Sequence, residues 1–512
     1  MPIEARNEAG AFGPAAVPAS RGWKLAPFAL LLGLALPDLL SPPISPTLLR
    51  QTQTYAQTVN FVAAGFSPTG LTIDINGTVP FRVVYEFPLY QGIVGVLFLV
   101  FGPAYFWGKL VSLLAMLGAV GVFQRLVRAR WGEAVALRAG LIVAACPITL
   151  LLATGFQPDA LALLLALLAL HALKRWRDRA TFANWGYLLA ALLGAALAKF
   201  TLLVPLVPVL AAGLMRPRPG WREIAVGVIG GALPFVAWLV YRGQLMDPAY
   251  LATDGRDFLL GDLGRFLRPA YYVKPAFILG GMVGCGIGGW WLIAGLRGAG
   301  RLEWLLLAGV GLYLVLIPTA SEQTYYALAV VPALALLMAR GLIRLEAAAP
   351  SRRMALAAAW LAGLAVIGPY TLRHDRVTLE AALAAREFTA PGDLVFVLNM
   401  HDRGVGIGAF NPAIVTLAGR RGWNVDFASD DPAAIQAQIE ARRRQGARWV
   451  VATWWSPPLD PWFTPLLPTV FSRCPKFADR TVNGAAIVAA LERSYPVGVR
   501  GENFALLRLP PQ

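Results

Sequence analysis

A few ionisable side chains stand where apolar blocks meet short polar connections, and their types suit proton transfer beside anion binding. Arg50 opens the polar run RQTQTYAQTVNF (50–61), Asp74 lies in SPTGLTIDINGT (67–78), and Glu86 precedes an aromatic-Pro-Leu-Tyr turn in YEFPLYQG (85–92). Asp159 opens a helix in GFQPDALALL, Lys199 sits in ALAKFTLLVP, and Glu322, Tyr325 and Tyr326 belong to SEQTYYALAVVPA. A carboxylate at such a place takes a proton from an attacking hydroxyl. Arginine and lysine stabilise a departing phosphate, arginine through paired N–H donors. Each residue also has a plainer reading. Glu86 and Asp159 suit helix N-termini, Lys199 suits a side chain reaching toward the membrane surface, and the tyrosines suit an interfacial belt.

The elements that position these residues must be membrane helices. The chain has 512 residues, 57% hydrophobic and 14% charged, against about a quarter charged in soluble domains. WKLAPFALLLGLALPDLL, ALRAGLIVAACPITLLLATG and PAFILGGMVGCGIGGWWLIAGL are each long enough to span a hydrocarbon core, which takes about 20 residues. Residues 24–40 follow Arg21 and Lys24 as a signal peptide would, but no clean small-x-small site follows, so they are read as a retained first helix. Cys146 and Cys285 lie in apolar spans and read as small fillers, and Cys474 is alone in the polar C-terminal part, so no disulfide framework is implied.

The net charge of +16 reports topology rather than nucleic acid. Lys and Arg gather between apolar blocks, at 125–130, 174–179, 216–222, 297–301 and 340–353, which is the pattern of cytoplasmic loops. Satisfying every cluster takes about eleven spans with the N-terminus inside, and requires the short apolar stretch 89–102 not to cross. The expected spans are 24–40, 106–124, 134–153, 160–173, 185–199, 201–215, 223–241, 275–296, 303–319, 323–343 and 353–370. Outer loops follow at 41–105 and 243–274. A second domain, 373–512, delivered to the outer face, alternates amphipathic helices with apolar strands such as DLVFVLNM and ARWVVATW, which predicts an α/β layer. The fold class expected is thus a polytopic α-helical membrane protein with juxtamembrane helices in its first outer loop and a C-terminal soluble α/β domain.

The order of these motifs resembles the polyprenyl-phosphate-sugar-dependent membrane glycosyltransferases of the C-type fold, the group of protein O-mannosyltransferases and lipid A aminoarabinose transferases. The resemblance covers roughly residues 24–345 and is densest in RQTQTYAQ and YEFPLY. It implies sugar transfer, with inversion, from a polyprenyl-phosphate donor to an outer-face lipid, glycan or protein acceptor in a bacterial inner membrane. Within it, Glu86 and Asp159 match outer-face carboxylates that sometimes bind a divalent metal, and Lys199 matches a basic residue on the lipid-phosphate side. The family commonly carries an acid in the first-loop helix, where this chain reads PTLLRQTQTYAQ. The base is then Glu86 or Asp74, or the chemistry differs, with Glu86 expected to matter more because Asp74 lies in a Gly- and Pro-containing loop expected to be mobile and solvated. The donor contacts expected are Arg50, Gln53, Tyr90, Lys199, Arg265, Arg268, Tyr325 and Tyr326, with Lys274 a further loop cation. A polytopic transporter and a non-catalytic envelope-glycan assembly subunit are the competing classes. Transporters tend to repeat their halves, and no such repeat is present.

Overall fold

A computed structural model describes residues 21–43, 47–215, 218–250, 263–272, 275–276, 278–317, 324–348, 353–371, 375–400, 411–425, 431–454 and 484–511. Glu322, Lys274, Cys474 and the Arg265 side chain lie outside the described set. Helix α1 (Arg21–Leu39) is followed by α2 (Leu48–Ala63), the short antiparallel strands β1 (Thr72–Ile73) and β2 (Phe81–Arg82), and α3 (Leu89–Phe101). The membrane part continues through α4 (Tyr105–Ala144), α5 (Pro147–Ala153), α6 (Asp159–Asp178), α7 (Phe182–Lys199), α8 (Val207–Leu214) and α9 (Trp221–Leu245). Beyond it come α10 (Gly288–Leu296), α11 (Arg301–Leu316), α12 (Val331–Ala348) and α13 (Arg353–Thr371).

Among the described residues, four helices are long and apolar enough to cross a membrane: Tyr105–Ala144, Phe182–Leu202, Trp221–Leu245 and Thr324–Ala348. Their surroundings differ sharply. The most apolar window of Thr324–Ala348 is 89% buried and forms the centre of the bundle, whereas that of Trp221–Leu245 is 6% buried and lies at its edge. In a bilayer the edge helix faces lipid tails, so its exposed Val228, Ile229, Leu233 and Val240 carry no aqueous penalty. The 89–102 stretch is a helix of 13 residues, short of a crossing.

Two expected helices, 106–124 and 134–153, run together as the 40-residue α4, bent at Gly132. Gly132 has φ +85°, a conformation that side chains other than glycine's disfavour, so the turn between the two arms is written at that residue. The remainder of the expected 134–153 helix is a separate short piece, because Pro147 restarts the helix after Cys146.

The C-terminal part contains α14 (Arg376–Phe388), β3 (Leu394–Asn399), α15 (Ala413–Ala418), β4 (Arg421–Val425), α16 (Pro432–Arg444), β5 (Ala447–Thr453), α17 (Gly484–Glu492), β6 (Val497–Arg500) and β7 (Phe504–Arg508). Its five strands lie in the order β4-β3-β5-β7-β6, with β3 parallel to both neighbours and β7 antiparallel to both of its own. The interior strand β3 reads as an unbroken apolar run because helices cover both faces; Val395 to Leu398 are all buried. Helix α14 starts at Asp375, whose carboxylate accepts from Thr378 N at 3.0 Å.

The first loop is clamped onto this sheet. Gly77 N donates to Gly422 O at 2.7 Å, and Gly422 N donates to Asp74 O at 3.2 Å. Gly77 has φ +64°, and a Cβ there would meet the Trp423 ring at 2.3 Å. Only glycine supports both the turn and this approach.

Candidate functional site

The site grows from a helical hairpin. Helices α6 and α7 pack antiparallel, so the residue that starts one lies beside the residue that ends the other. Asp159 begins α6 directly after Pro158, and Lys199 ends α7, with short 3₁₀ turns carrying the chain on to α8. A carboxylate at a helix N-terminus and an ammonium at a C-terminus each complement the local dipole. Here they also meet: Lys199 Nζ donates to Asp159 Oδ1 at 2.8 Å, with the two residues 4% and 0% exposed. The Lys199 ammonium lies 4.6 Å from the ring centroids of both Tyr325 and Tyr326, which suits cation–π attraction. Those two rings stack at 4.6 Å in the 3₁₀ segment Thr324–Val330 that leads into α12.

A second ion pair forms beside the first. Helix α2 brings Arg50 against Glu86, and the guanidinium also lies 4.0 Å over the Tyr85 ring. Burial opposes the Arg50 charge, but the facing Glu86, with Tyr85, Tyr325 and Asp159 adding smaller contributions, holds its proton above the usual range. Both carboxylates lie within electrostatic reach of Arg50, so the two ion pairs are neighbours. The segment carrying Glu86 is pinned by Phe87 N donating to Leu197 O at 3.1 Å and Arg242 Nε donating to Val84 O at 2.6 Å. Tyr85 is set by a 2.8 Å hydroxyl contact with Tyr250.

Helix α2 is amphipathic in an unusual sense. One face carries hydrogen-bonding groups and the other Tyr55 and Val59, and the polar face is turned into the protein: Arg50, Gln51, Thr52, Gln53, Thr54, Gln57 and Thr58 are all buried. The threonines return their hydroxyls to the helix backbone, as in Thr54 Oγ1 to Arg50 O at 2.8 Å. Gln51 Oε1 accepts from Phe156 N at 3.0 Å, which ties α2 to the turn before Asp159. Tyr55 and Val59 pack with Phe98, Phe156 and Tyr105.

Several polar atoms around the cluster are buried without a hydrogen-bond partner among the described residues: Arg50 Nη1, Asp159 Oδ2, Thr201 Oγ1 and both amide atoms of Gln157. Such groups are costly unless something satisfies them. Gln157 stands two residues before Asp159 in the same turn; nothing about a lone glutamine in GFQPD marked it in the sequence. Tyr85 was likewise inside a quoted motif, and its cation–π role depends on where Arg50 arrives.

Other expected site residues fall elsewhere. Asp74 is not on a solvated, mobile loop: it is partly buried, its side chain 29% exposed, and it lies 3.6 Å from Arg421 of β4. Burial raises its pKa, which Arg421 and Asn60 pull back in part. Its partners belong to α2 and the C-terminal sheet, not to the Arg50 cluster. Tyr90 is fully buried in an apolar cluster, its hydroxyl donating to Gly108 O at 2.8 Å, so it anchors α3 to α4 rather than facing a donor. Gln53 is buried on α2. Arg268 is exposed in the segment 263–272.

The expected metal pair is also rearranged. Glu86 and Asp159 enter one cluster, yet each is matched by its own cation. Among the described residues no three His, Cys, Asp or Glu side chains stand close enough to share an ion. Each carboxylate is matched one for one by a cation, so a divalent ion held there would have to displace Arg50 or Lys199 from its partner. A further buried pair was not foreseen: Lys109 Nζ donates to Asp38 O at 2.6 Å and Ser41 O at 2.9 Å, and lies 3.4 Å from Asp38 Oδ2, so it holds the end of α1 against α4.

With this geometry in hand, comparison with known proteins is informative. Residues 87–241 match the family described as dolichyl-phosphate-mannose-protein mannosyltransferase. That span holds α3 to α9 and with them Asp159 and Lys199. The crystal structure of ArnT from Cupriavidus metallidurans bound to undecaprenyl phosphate superposes with a TM-score of 0.60 at 14% identity, covering 96% of this chain and 100% of that one. The apo form of the same protein gives 0.53 at 14% identity, over 96% and 99%. No curated protein matches the sequence. The chain therefore has the fold of the C-type membrane glycosyltransferases, as the sequence motifs implied, and it is a polytopic membrane protein.

Proposed function

We propose that this chain transfers a sugar from a polyprenyl-phosphate donor to an acceptor at the outer face of the membrane. The observation that carries the reading is the pair of buried cations, Arg50 and Lys199, beside Glu86 and Asp159, with Arg50 Nη1 unpaired among the described residues. A buried guanidinium with a free N–H donor suits a phosphate oxygen. The reported likeness to a protein crystallised with undecaprenyl phosphate supports the same donor class.

In this mechanism Arg50 and Lys199 hold the donor phosphate, and their charges offset the one that develops as the C1–O bond breaks. Glu86, the more exposed of the two carboxylates, accepts the proton of the acceptor hydroxyl as its oxygen bonds to C1. A single direct displacement needs no enzyme nucleophile and inverts the anomeric carbon. Asp159 holds Lys199 in place through its 2.8 Å contact. Tyr325 and Tyr326 wall the ammonium with aromatic faces. The acceptor class, whether lipid, glycan or protein, is left open by these groups. The scheme is written without a divalent metal, because each carboxylate is matched by its own cation.

The topology that goes with this function has about eleven spans, the N-terminus inside, and residues 373–512 forming a domain outside on the bacterial inner membrane. The carrying experiment is transfer by the purified protein with a panel of polyprenyl-phosphate sugars. Transfer or donor hydrolysis with one of them is expected. Neither reaction with any donor, together with solute flux into liposomes holding the protein, would favour a transporter.

A further inference from the structure

Away from the ion-pair cluster, a cavity of about 420 Å³ opens between the membrane helices and the C-terminal layer. That volume lies within the range of small-molecule sites. One wall is the end of α1 and the start of α4, with Leu39, Leu40 and Phe106; the other is α14, with Leu379, Leu383 and Arg386. On α14 these three positions are spaced i, i+4, i+7, a single helical stripe. The opposite face of α14, Ala381, Ala382, Ala384 and Ala385, is buried in the protein. The leucine stripe is not: Leu383 is 50% exposed and Leu40, across the cavity, 77%. Two apolar walls thus face each other without closing.

The cavity carries one charge. The Arg386 guanidinium makes no hydrogen bond or ion pair among the described residues; only its backbone carbonyl is engaged, by Arg420. No carboxylate lines the cavity. Tyr105 lines the same cavity, and its buried hydroxyl has no hydrogen-bond partner among the described residues. Tyr105 stacks on Tyr55 at 3.9 Å, and Tyr55 shares α2 with Arg50. A leucine-walled slot at a span end, with one unneutralised arginine at its rim, is complementary to an amphiphile with an apolar tail and a negative head.

We propose that this seam is a binding site for one anionic membrane phospholipid. Its acyl chain lies between Leu39, Leu40 and Phe106 on one side and Leu379 and Leu383 on the other, and its phosphate sits on Arg386. The lipid completes the joint between the membrane helices and the α/β layer that holds the first loop through Gly422. It is a site distinct from the donor phosphate's, since no residue lining it belongs to the Arg50–Lys199 cluster.

The test is native mass spectrometry of the full-length protein in detergent, titrated with phosphatidylglycerol or phosphatidylcholine in the absence of any sugar donor, so that it stands or falls apart from the proposed reaction. The expected result is one retained phosphatidylglycerol, preferred over phosphatidylcholine by about tenfold, as one head-group contact to a charged donor allows. Arg386→Gln is exposed and leaves the fold intact; it removes the preference, and Arg386→Lys restores part of it. Leu383→Asp lowers retention of both lipids. Equal retention of the two lipids, or an unchanged preference in Arg386→Gln, would overturn the proposal. So would displacement of the retained lipid by stoichiometric polyprenyl phosphate, which would give the cavity to the donor.

Discussion

Lys199 Nζ sits 2.8 Å from Asp159 Oδ1, and both side chains are out of contact with water. The pair joins the last residue of one helix to the first of the preceding one, which locks the open end of the hairpin just where the proposed donor phosphate binds. A buried pair of this kind is weak evidence for stability but costly to break from one side. Asp159→Asn or Lys199→Met alone is expected to destabilise the protein by about 3–5 kcal/mol. The double variant is expected to recover part of that loss, without recovering turnover. Unfolding in detergent micelles with a double-mutant cycle measures the coupling; strictly additive single effects would refute it.

Glu86→Gln removes the proposed base while keeping its shape. Turnover is expected to drop about a hundredfold or more, while Asp74→Asn stays near the parent rate. Asp74 contributes a partly exposed, 3.6 Å contact to Arg421, worth about 1 kcal/mol at most. Steady-state rates of both variants at equal folded concentration decide between them, and the reverse ranking would make the first-loop turn the catalytic element.

Arg50 differs from lysine in what it offers. It pairs with Glu86, lies over Tyr85 and keeps Nη1 unpaired among the described residues. A lysine supplies charge but neither the fork nor the flat face. Arg50→Lys is expected to raise the KM for the donor at least about tenfold, corresponding to roughly 1.4 kcal/mol, with a smaller effect on the KM for the acceptor. Equal changes in both would argue that Arg50 supports the fold and not the phosphate.

Because Glu86 and Asp159 are each matched by a cation, turnover is expected to survive chelation. Assays after EDTA treatment, with and without added magnesium or manganese, provide the check. A loss of activity restored by either ion would show that the carboxylates rearrange around a metal.

The C-terminal layer carries its own acid-sensitive lock. Burial pushes the Asp393 carboxyl up, but hydrogen bonds from Ala390 N–H, the Trp449 indole and Arg448 more than offset this and hold it below its ordinary value near 3.8. A depressed carboxylate contributes stability that is complete above the unfolded value and is lost as pH falls through the lower folded value. The sheet is therefore expected to keep its stability from pH 7 to 5 and lose this contribution only below about 3.8, the ordinary carboxylate range. Asp393→Asn is expected to flatten that acid limb. Tryptophan fluorescence of the protein during acid titration would show it, and an unchanged limb in the variant would remove Asp393 from the account.

Much of this architecture was legible without coordinates, for identifiable reasons. Apolar blocks of the right length and basic clusters between them mark helices and connections, because the bilayer allows few alternatives. The meeting of Asp159 with Lys199 was nearly readable as well. Two helices joined by a short turn must run antiparallel, so the start of one lies beside the end of the other. The alternation of helix and strand after residue 375 likewise announced an α/β layer, and the unbroken DLVFVL run announced its doubly covered strand.

What the sequence could not decide was which way the polar faces turn and what they meet. RQTQT reads as a helix with one hydrogen-bonding face, and periodicity alone cannot say whether that face looks at water or into the protein. Packing against Phe98, Phe156 and Tyr105 claims Tyr55 and Val59, so Arg50 turns inward to Glu86, 36 residues away. Asp74 was read as solvated because its neighbours are turn formers, yet the sheet formed by residues more than three hundred positions later covers it. Tyr90, beside Glu86 in sequence, points the other way, into the joint with Gly108. Helices in a membrane gain little from hiding apolar surface from one another, so close packing and long-range polar contacts choose their neighbours, and those choices exist only once the whole chain is in place.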